Sequence, residues 1–69
     1  MPLISIRLVA GRSDEELRAL VRGVSDAAAD ALDVPVGRIG VHVFELEPRL
    51  VARGGELLAD VQAREQPGG

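Results

Sequence analysis

Two stretches of the chain alternate between apolar and mixed positions, which is the period of a β-strand. They cover residues 2–9 and residues 39–45. The apolar positions are Ile4, Ile6 and Leu8 in the first stretch and Ile39, Val41 and Val43 in the second. Successive side chains of a strand point to opposite faces, so each stretch predicts a strand with one apolar face.

Between the two strands the spacing of apolar residues changes to steps of three and four, which predicts an amphipathic helix. The apolar positions are Leu17, Leu20, Val21, Val24, Ala28 and Ala31. Ser13 and Glu16 have the S-x-x-E spacing of a capping box, and Asp14 adds negative charge where the helix dipole favours it. The helix is predicted from about Asp14 to Leu32. Pro35 ends it, because the residue before a proline resists the helical conformation.

The last third of the chain carries weaker signals. Pro48 to Gly55 predicts a loop or a short hairpin, because Arg53-Gly54-Gly55 has the composition of a turn. Glu56 to about Arg64 has a weak helical pattern. Residues 65–69 are expected to form a frayed tail, which leaves about 2–64 as the ordered part.

Strand, long helix and strand in this order form a βαβ unit, so residues 1–69 are predicted to be a single α/β (α+β) domain. The two strands should be parallel and the crossover right-handed. One helix covers only one face of a sheet, and the face with Gly40, His42 and Phe44 is left open. A second copy that extends the sheet, with further dimers packing on it, would cover this face.

Composition narrows how such a short chain can be stable. It has 69 residues, of which 46% are hydrophobic and one is aromatic. A monomer of this size is marginal and usually needs disulfides, a metal or oligomerisation. The absence of cysteine excludes disulfides, and a single histidine, His42, argues against a zinc site of the usual Cys/His type. Self-association is therefore expected.

Charge and hydropathy argue against nucleic acid and membranes as partners. The net charge is −3, and the eight basic residues, all arginine, are scattered and form no basic stripe. Nucleic-acid binding is therefore not indicated. No stretch has the length of a membrane span, and no signal-peptide pattern follows the start. The cytoplasm is the default expectation.

The second residue, Pro2, is the first candidate for chemistry. A methionine before a small residue is usually removed after synthesis, and removal of Met1 would leave Pro2 with a free secondary amine. When neutral, that amine has a lone pair and can act as a base or a nucleophile. Most proline residues that follow an initiator methionine do nothing chemical, so the rest of the chain has to support this role.

Four segments, taken together, resemble the 4-oxalocrotonate tautomerase family. The segments are Pro2-Leu-Ile-Ser-Ile, Gly11-Arg12-Ser13-Asp14-Glu15, Leu32-Asp33-Val34-Pro35 and Gly54-Gly55-Glu56-Leu57. Their register holds without a gap from Pro2 to about Arg64. The family consists of small βαβ subunits that begin at a catalytic proline. The resemblance implies a hexamer built as a trimer of dimers.

The resemblance also implies a reaction. Pro2 would be a general base that moves a proton in a small 2-keto or 2-enol (di)carboxylic acid, of the 2-hydroxymuconate type. An apolar pocket and nearby arginines should keep the pKa of this amine below that of an ordinary N-terminus. Arg12 matches the family's arginine that holds a substrate carboxylate. Neither a cofactor nor a metal is expected.

Two positions depart from the family pattern. The arginine of the second strand, which polarises the 2-keto group, corresponds to Gly40, and the pocket phenylalanine corresponds to Val51. Arg38 could swing into the pocket as a substrate-binding residue, Arg53 lies near the expected pocket wall, and His42 could donate a hydrogen bond. For these three residues a surface charge or an interface histidine is the simpler interpretation.

Three functions stay open at this point. The first is a tautomerase, with activity that is reduced or redirected to another small-acid reaction such as dehalogenation or decarboxylation. The second is a subunit of a hetero-oligomeric assembly, in which a paralogous chain supplies the missing groups. The third is an interaction module without activity, for which retention of Met1 would be the signature, because the proline nitrogen would then be an amide.

Overall fold

The structure is a computed structural model that describes residues 1–65; residues 66–69, which make up most of the predicted tail, lie outside the described range. Its strands and helices follow the predicted order. They are β1 (Leu3–Val9), α1 (Asp14–Leu32), β2 (Gly40–Leu46), β3 (Ala52–Arg53), β4 (Glu56–Leu57) and α2 (Leu58–Arg64).

β1 and β2 form a parallel two-stranded sheet, as predicted. The register runs from Leu3 opposite Gly40 to Val9 opposite Leu46. Ile39, predicted as the first residue of the second strand, instead closes a 3-10 turn over Val36–Arg38, and its N–H donates to the Val36 carbonyl at 3.0 Å. The strand therefore begins one residue later than predicted.

Both ends of α1 are closed by local hydrogen bonds. The predicted capping box is formed, with the Glu16 N–H donating to Ser13 Oγ and the Ser13 N–H donating to Glu16 Oε1, each at 3.1 Å. At the other end Asp33 adopts the left-handed conformation with φ 55°, and the Val34 N–H donates to the Ala29 carbonyl at 3.0 Å. The helix thus ends by a left-handed cap before Pro35 is reached.

The predicted hairpin and the short C-terminal helix are both present, but they divide the chain differently from the prediction. Glu56 and Leu57 pair with Arg53 and Ala52 as an antiparallel strand, so the helix begins only at Leu58. The Leu58 N–H donates to the Val51 carbonyl at 2.8 Å, which fixes the start of α2 against the hairpin.

The sheet has one covered and one open face, in the predicted alternation. The apolar positions of β1 are partly buried beneath α1, whereas Leu3, Ser5 and Arg7 are exposed on the other side. On that open face Leu3 is 58% and Phe44 45% exposed, and no side chain within residues 1–65 is fully buried. A single chain therefore leaves much of its aliphatic surface in contact with water.

Loss of the Ser13 cap is expected to destabilise α1 measurably. Ser13→Ala removes the Oγ that accepts the Glu16 N–H and should lower the free energy of unfolding by about 1 kcal/mol, whereas Ser13→Gly should cost only a few tenths. Urea unfolding of the three proteins at one chain concentration measures the difference. Equal midpoints for Ser13→Ala and the unchanged chain would show that the cap is energetically silent.

Candidate functional site

Pro2 lies at the start of the sheet, beside Gly40. Its carbonyl accepts the Gly40 N–H at 2.9 Å, and its side chain is partly buried. Met1 precedes it and is 90% exposed. While Met1 is attached, the Pro2 nitrogen is an amide nitrogen without a basic lone pair. The exposure of Met1 makes it accessible to removal, which would present the amine at this end of the sheet.

Gly40 leaves a space that apolar side chains enter. A Cβ at this position would lie 2.9 Å from Leu3 Cδ1 and 3.1 Å from Met1 Cε. Both atoms are the far ends of flexible side chains, and Met1 is absent once the N-terminus is processed. The position that carries an arginine in the family pattern is therefore bordered here by the ends of two aliphatic side chains.

Arg38 lies at the same end of the sheet as Pro2. It is the last residue of the 3-10 turn, two residues before Gly40, and its side chain is exposed. Its backbone N–H donates to the Pro35 carbonyl at 3.0 Å, which anchors the turn and leaves the guanidinium free to move. Of the candidate arginines, Arg38 is the one that shares this end with Pro2 within a chain.

Arg12 lies at the opposite end. It follows β1, whose seven residues separate it from Pro2. At a rise of about 3.3 Å per residue, the strand alone puts about 20 Å between its ends, beyond the reach of an arginine side chain. Pro2 and Arg12 of one chain therefore cannot contact the same small substrate.

Arg53 and Val51 belong with Arg12, not with Pro2. Arg53 is exposed in β3 and lines a cleft with Val9, at the far end of β1. Val51 is partly buried just before β3. The sequence-predicted site residues thus form two groups, one at each end of the sheet.

His42 belongs to neither group. It lies on the open face of the sheet opposite Ser5, with its ring 6.4 Å from that of Phe44. The Arg7 guanidinium stands 5.9 Å from the Phe44 ring centroid on the same face. This placement puts His42 away from both ends of the sheet, on the face that a second copy is predicted to cover.

Glu16 contacts the candidate residue Arg12, whereas the sequence pattern predicted only its role in the capping box. Its Oε2 accepts a hydrogen bond from Arg12 NH1 at 3.2 Å. The Ser13 backbone N–H and the Arg12 guanidinium hold the pKa of the Glu16 carboxyl below its ordinary value. The four-residue separation of Arg12 and Glu16 at a helix start was the available signal.

The described part of the chain has neither a metal-binding cluster nor a membrane-spanning helix. Within residues 1–65 no group of three or more histidine, cysteine, aspartate or glutamate side chains is arranged to hold a metal ion. None of the helices described there is long and apolar enough to cross a membrane.

Comparison with known proteins gives one consistent result. A family model described as "Tautomerase enzyme" matches residues 2–61. The 2-hydroxymuconate tautomerase of Pseudomonas sp. (strain CF600) is 36% identical over 62 residues, which cover 90% of this chain and 98% of that protein.

Solved structures agree with this result. TomN, a 4-oxalocrotonate tautomerase homologue in the tomaymycin biosynthetic pathway, is 35% identical with a TM-score of 0.87, over 94% of this chain and 100% of that one. A heterohexamer 4-oxalocrotonate tautomerase from Chloroflexus aurantiacus is 36% identical with a TM-score of 0.84, over 88% and 98% of the two chains.

Proposed function

Because the chain belongs to the tautomerase family, we propose that it is a tautomerase in which the Pro2 amine moves a proton within a small 2-keto or 2-enol (di)carboxylic acid. The observation that carries the proposal is the position of Pro2. The family match begins at this residue, and Pro2 lies at an accessible end of the sheet behind an exposed Met1.

The proposed reaction transfers one proton. The neutral Pro2 nitrogen takes the proton from the enol hydroxyl, the oxygen electrons form the carbonyl, and the conjugated double bonds shift toward the far carbon. The prolinium N–H then returns the proton to that carbon. We expect the pocket of the assembled protein and its arginines to disfavour the charged form of the amine, which would suit a base at neutral pH.

Binding is assigned to two arginines. We assign Arg38 to the substrate at the Pro2 end of its own chain, because it lies two residues from Gly40. Arg12 provides the fork for a substrate carboxylate, a task for which the planar guanidinium is well suited. Since β1 separates Arg12 from Pro2, the Arg12 that completes a site has to come from another copy of the chain. The end of that copy that carries Arg12 would pack against the end of the first copy that carries Pro2.

Mixing two variants is expected to restore activity that neither has alone. Pro2→Ala and Arg12→Ala homo-oligomers should each be strongly impaired. When equal amounts are unfolded together and refolded, about a quarter of sites formed between copies receive both an intact Pro2 and an intact Arg12. The mixture should then ketonise at about a quarter of the unchanged rate, which is about 25-fold above a parent reduced a hundredfold and about 2.5-fold above a parent reduced tenfold.

Two controls make the mixing experiment decisive. The parents refolded separately and combined afterwards should show only the mean of their two rates. A chain that carries both substitutions is also refolded with the unchanged chain. This mixture measures how far the ketonisation rate falls when unchanged chains are diluted by inactive ones. A refolded mixture no faster than the mean of its parents would mean that Pro2 of one copy and Arg12 of another do not share a site.

The function itself is tested by ketonisation of a 2-hydroxymuconate-type dienol. Loss of the dienol absorbance is followed with a preparation whose intact mass shows that Met1 has been removed. We expect a rate well above that of buffer. A preparation without Met1 that is no faster than buffer, as a clean homo-oligomer, would contradict the proposed function.

Failure of a preparation without Met1 to ketonise the dienol would favour the second candidate, a subunit of a hetero-oligomeric tautomerase assembly. The observation that supports this candidate is Gly40, because a chain that lacks the strand arginine could share a site with a partner that has it. One structural relative is described as a heterohexamer. Co-purification of the chain with a second short chain that begins with proline would support this candidate, and a clean, active homo-oligomer would exclude it.

A further inference from the structure

We propose that Glu16 is a positioning residue for Arg12, and that its carboxylate holds the guanidinium in the orientation that receives a substrate carboxylate. The proposal rests on the proposed function in one respect, the assignment of Arg12 to substrate binding. It concerns a contact within one chain and does not depend on the number of copies in the assembly.

The two oxygens of Glu16 have different partners. Oε1 accepts the Ser13 backbone N–H at 3.1 Å, and Oε2 accepts Arg12 NH1 at 3.2 Å. The Glu16 backbone N–H is itself bound to Ser13 Oγ at 3.1 Å. The Ser13 backbone N–H therefore holds the carboxylate before Arg12 contributes anything, so only one flexible side chain has to be ordered when the ion pair forms.

The ion pair of Arg12 and Glu16 is poorly placed to stabilise the helix. A cation at a helix N-terminus opposes the dipole, and a basic residue that precedes its acidic partner by four positions has the weaker of the two orders. Both side chains are also largely exposed, at 62% for Arg12 and 53% for Glu16. Helix stability alone gives no reason to place Arg12 here, whereas a ligand-binding role does.

The contact leaves most of the guanidinium available. Glu16 accepts a hydrogen bond from NH1, and arginine presents five N–H donors in one plane, so two of the remaining donors can donate to the oxygens of a substrate carboxylate. Hydrogen bonds from the Ser13 N–H and from Arg12 lower the pKa of Glu16, so both interactions favour the charged carboxylate. Among the acidic residues of the first turn, Asp14, Glu15 and Glu16, only Glu16 makes this bond.

The test compares Glu16→Gln with two matched controls. Glu16→Gln retains an oxygen that can accept the Ser13 N–H but loses the charged bond to Arg12. Glu15→Gln removes the same charge from the same helical turn without a contact to Arg12. Ser13→Ala removes the Oγ cap but leaves the Glu16 carboxylate and the backbone N–H that holds it.

Steady-state ketonisation is measured for each variant, with helix content checked by circular dichroism. For Glu16→Gln we expect KM for a carboxylate substrate to rise about threefold to fivefold with kcat changed less than twofold, which is the range of an exposed ion pair. Glu15→Gln and Ser13→Ala should leave KM within about twofold of the unchanged chain, because neither removes the bond to Arg12.

The double variant Arg12→Ala/Glu16→Gln decides how Glu16 acts. If Glu16 works through Arg12, Arg12→Ala raises KM about tenfold or more, and Glu16→Gln adds nothing to it. A KM for Glu16→Gln that is unchanged or lowered, while Arg12→Ala raises KM, overturns the positioning role and leaves the proposed function intact. An unchanged KM in Arg12→Ala removes Arg12 from substrate binding and overturns the proposal for Glu16 with it.

Discussion

A single residue left in front of Pro2 is expected to lower kcat/KM for dienol ketonisation by about 10³-fold, the range that general base catalysis supplies. An amide nitrogen has no basic lone pair, so the added residue removes the base and leaves the binding groups in place. Met1 is 90% exposed, which indicates that an extension at this position does not disturb the fold.

The experiment uses one chain in two forms. It is made as a fusion that a protease cuts either directly before Pro2 or one glycine earlier, and intact mass identifies each product. Oligomeric state and circular dichroism should be the same for both. Pro2→Ala, which still has a free amine, should lie between them. Equal rates for the two forms would exclude the Pro2 amine as the base.

Replacement of Gly40 by arginine is expected to raise kcat/KM by about a hundredfold, because one donor aimed at the developing enolate oxygen supplies that much. The substitution fits the fold: the new Cβ approaches Leu3 Cδ1 at 2.9 Å, and the Leu3 side chain is 58% exposed and can turn aside. The second close atom, Met1 Cε at 3.1 Å, leaves with Met1.

Gly40→Met is the matched control, because it adds a side chain of similar reach without charge or donors. It should give no increase, and a gain in both variants would point to a change in packing. A Gly40→Arg chain no faster than the unchanged chain would mean that another group already polarises the keto oxygen. Arg38→Ala is then introduced into the unchanged chain and into Gly40→Arg. A large loss of kcat/KM in the unchanged chain and a small loss in Gly40→Arg would identify Arg38 as that group.

The main elements of the fold could be predicted because their signals are local. The alternation around Ile4 and Ile6 and the capping box of Ser13 and Glu16 act over a few residues, and the structure confirms them. The exact ends could not be predicted. The left-handed conformation of Asp33 and the pairing of Glu56 with Arg53 depend on backbone hydrogen bonds that residue type alone does not specify.

The site could be predicted only as a set of residue types. The family resemblance supports Pro2 and Arg12 as candidates and leaves Arg38 as a possible replacement for the missing strand arginine, but it does not say which of them share an end of the sheet. That grouping depends on the parallel register, in which Leu3 faces Gly40 and Val9 faces Leu46. The contact between Glu16 and Arg12 needed side-chain geometry, because its spacing also suits an ordinary surface ion pair.

The length of β1 also has a genetic consequence. Under the proposed assignment, a chain with Pro2 before the strand and Arg12 after it would contribute to two sites at once, as the base in one and as the carboxylate fork in the other. After gene duplication, one copy can lose its proline and the other its arginine, and an assembly that alternates the two still has complete sites. Loss of either gene would then leave no complete site, so both genes are retained. A mixed assembly can therefore become fixed without any improvement in rate.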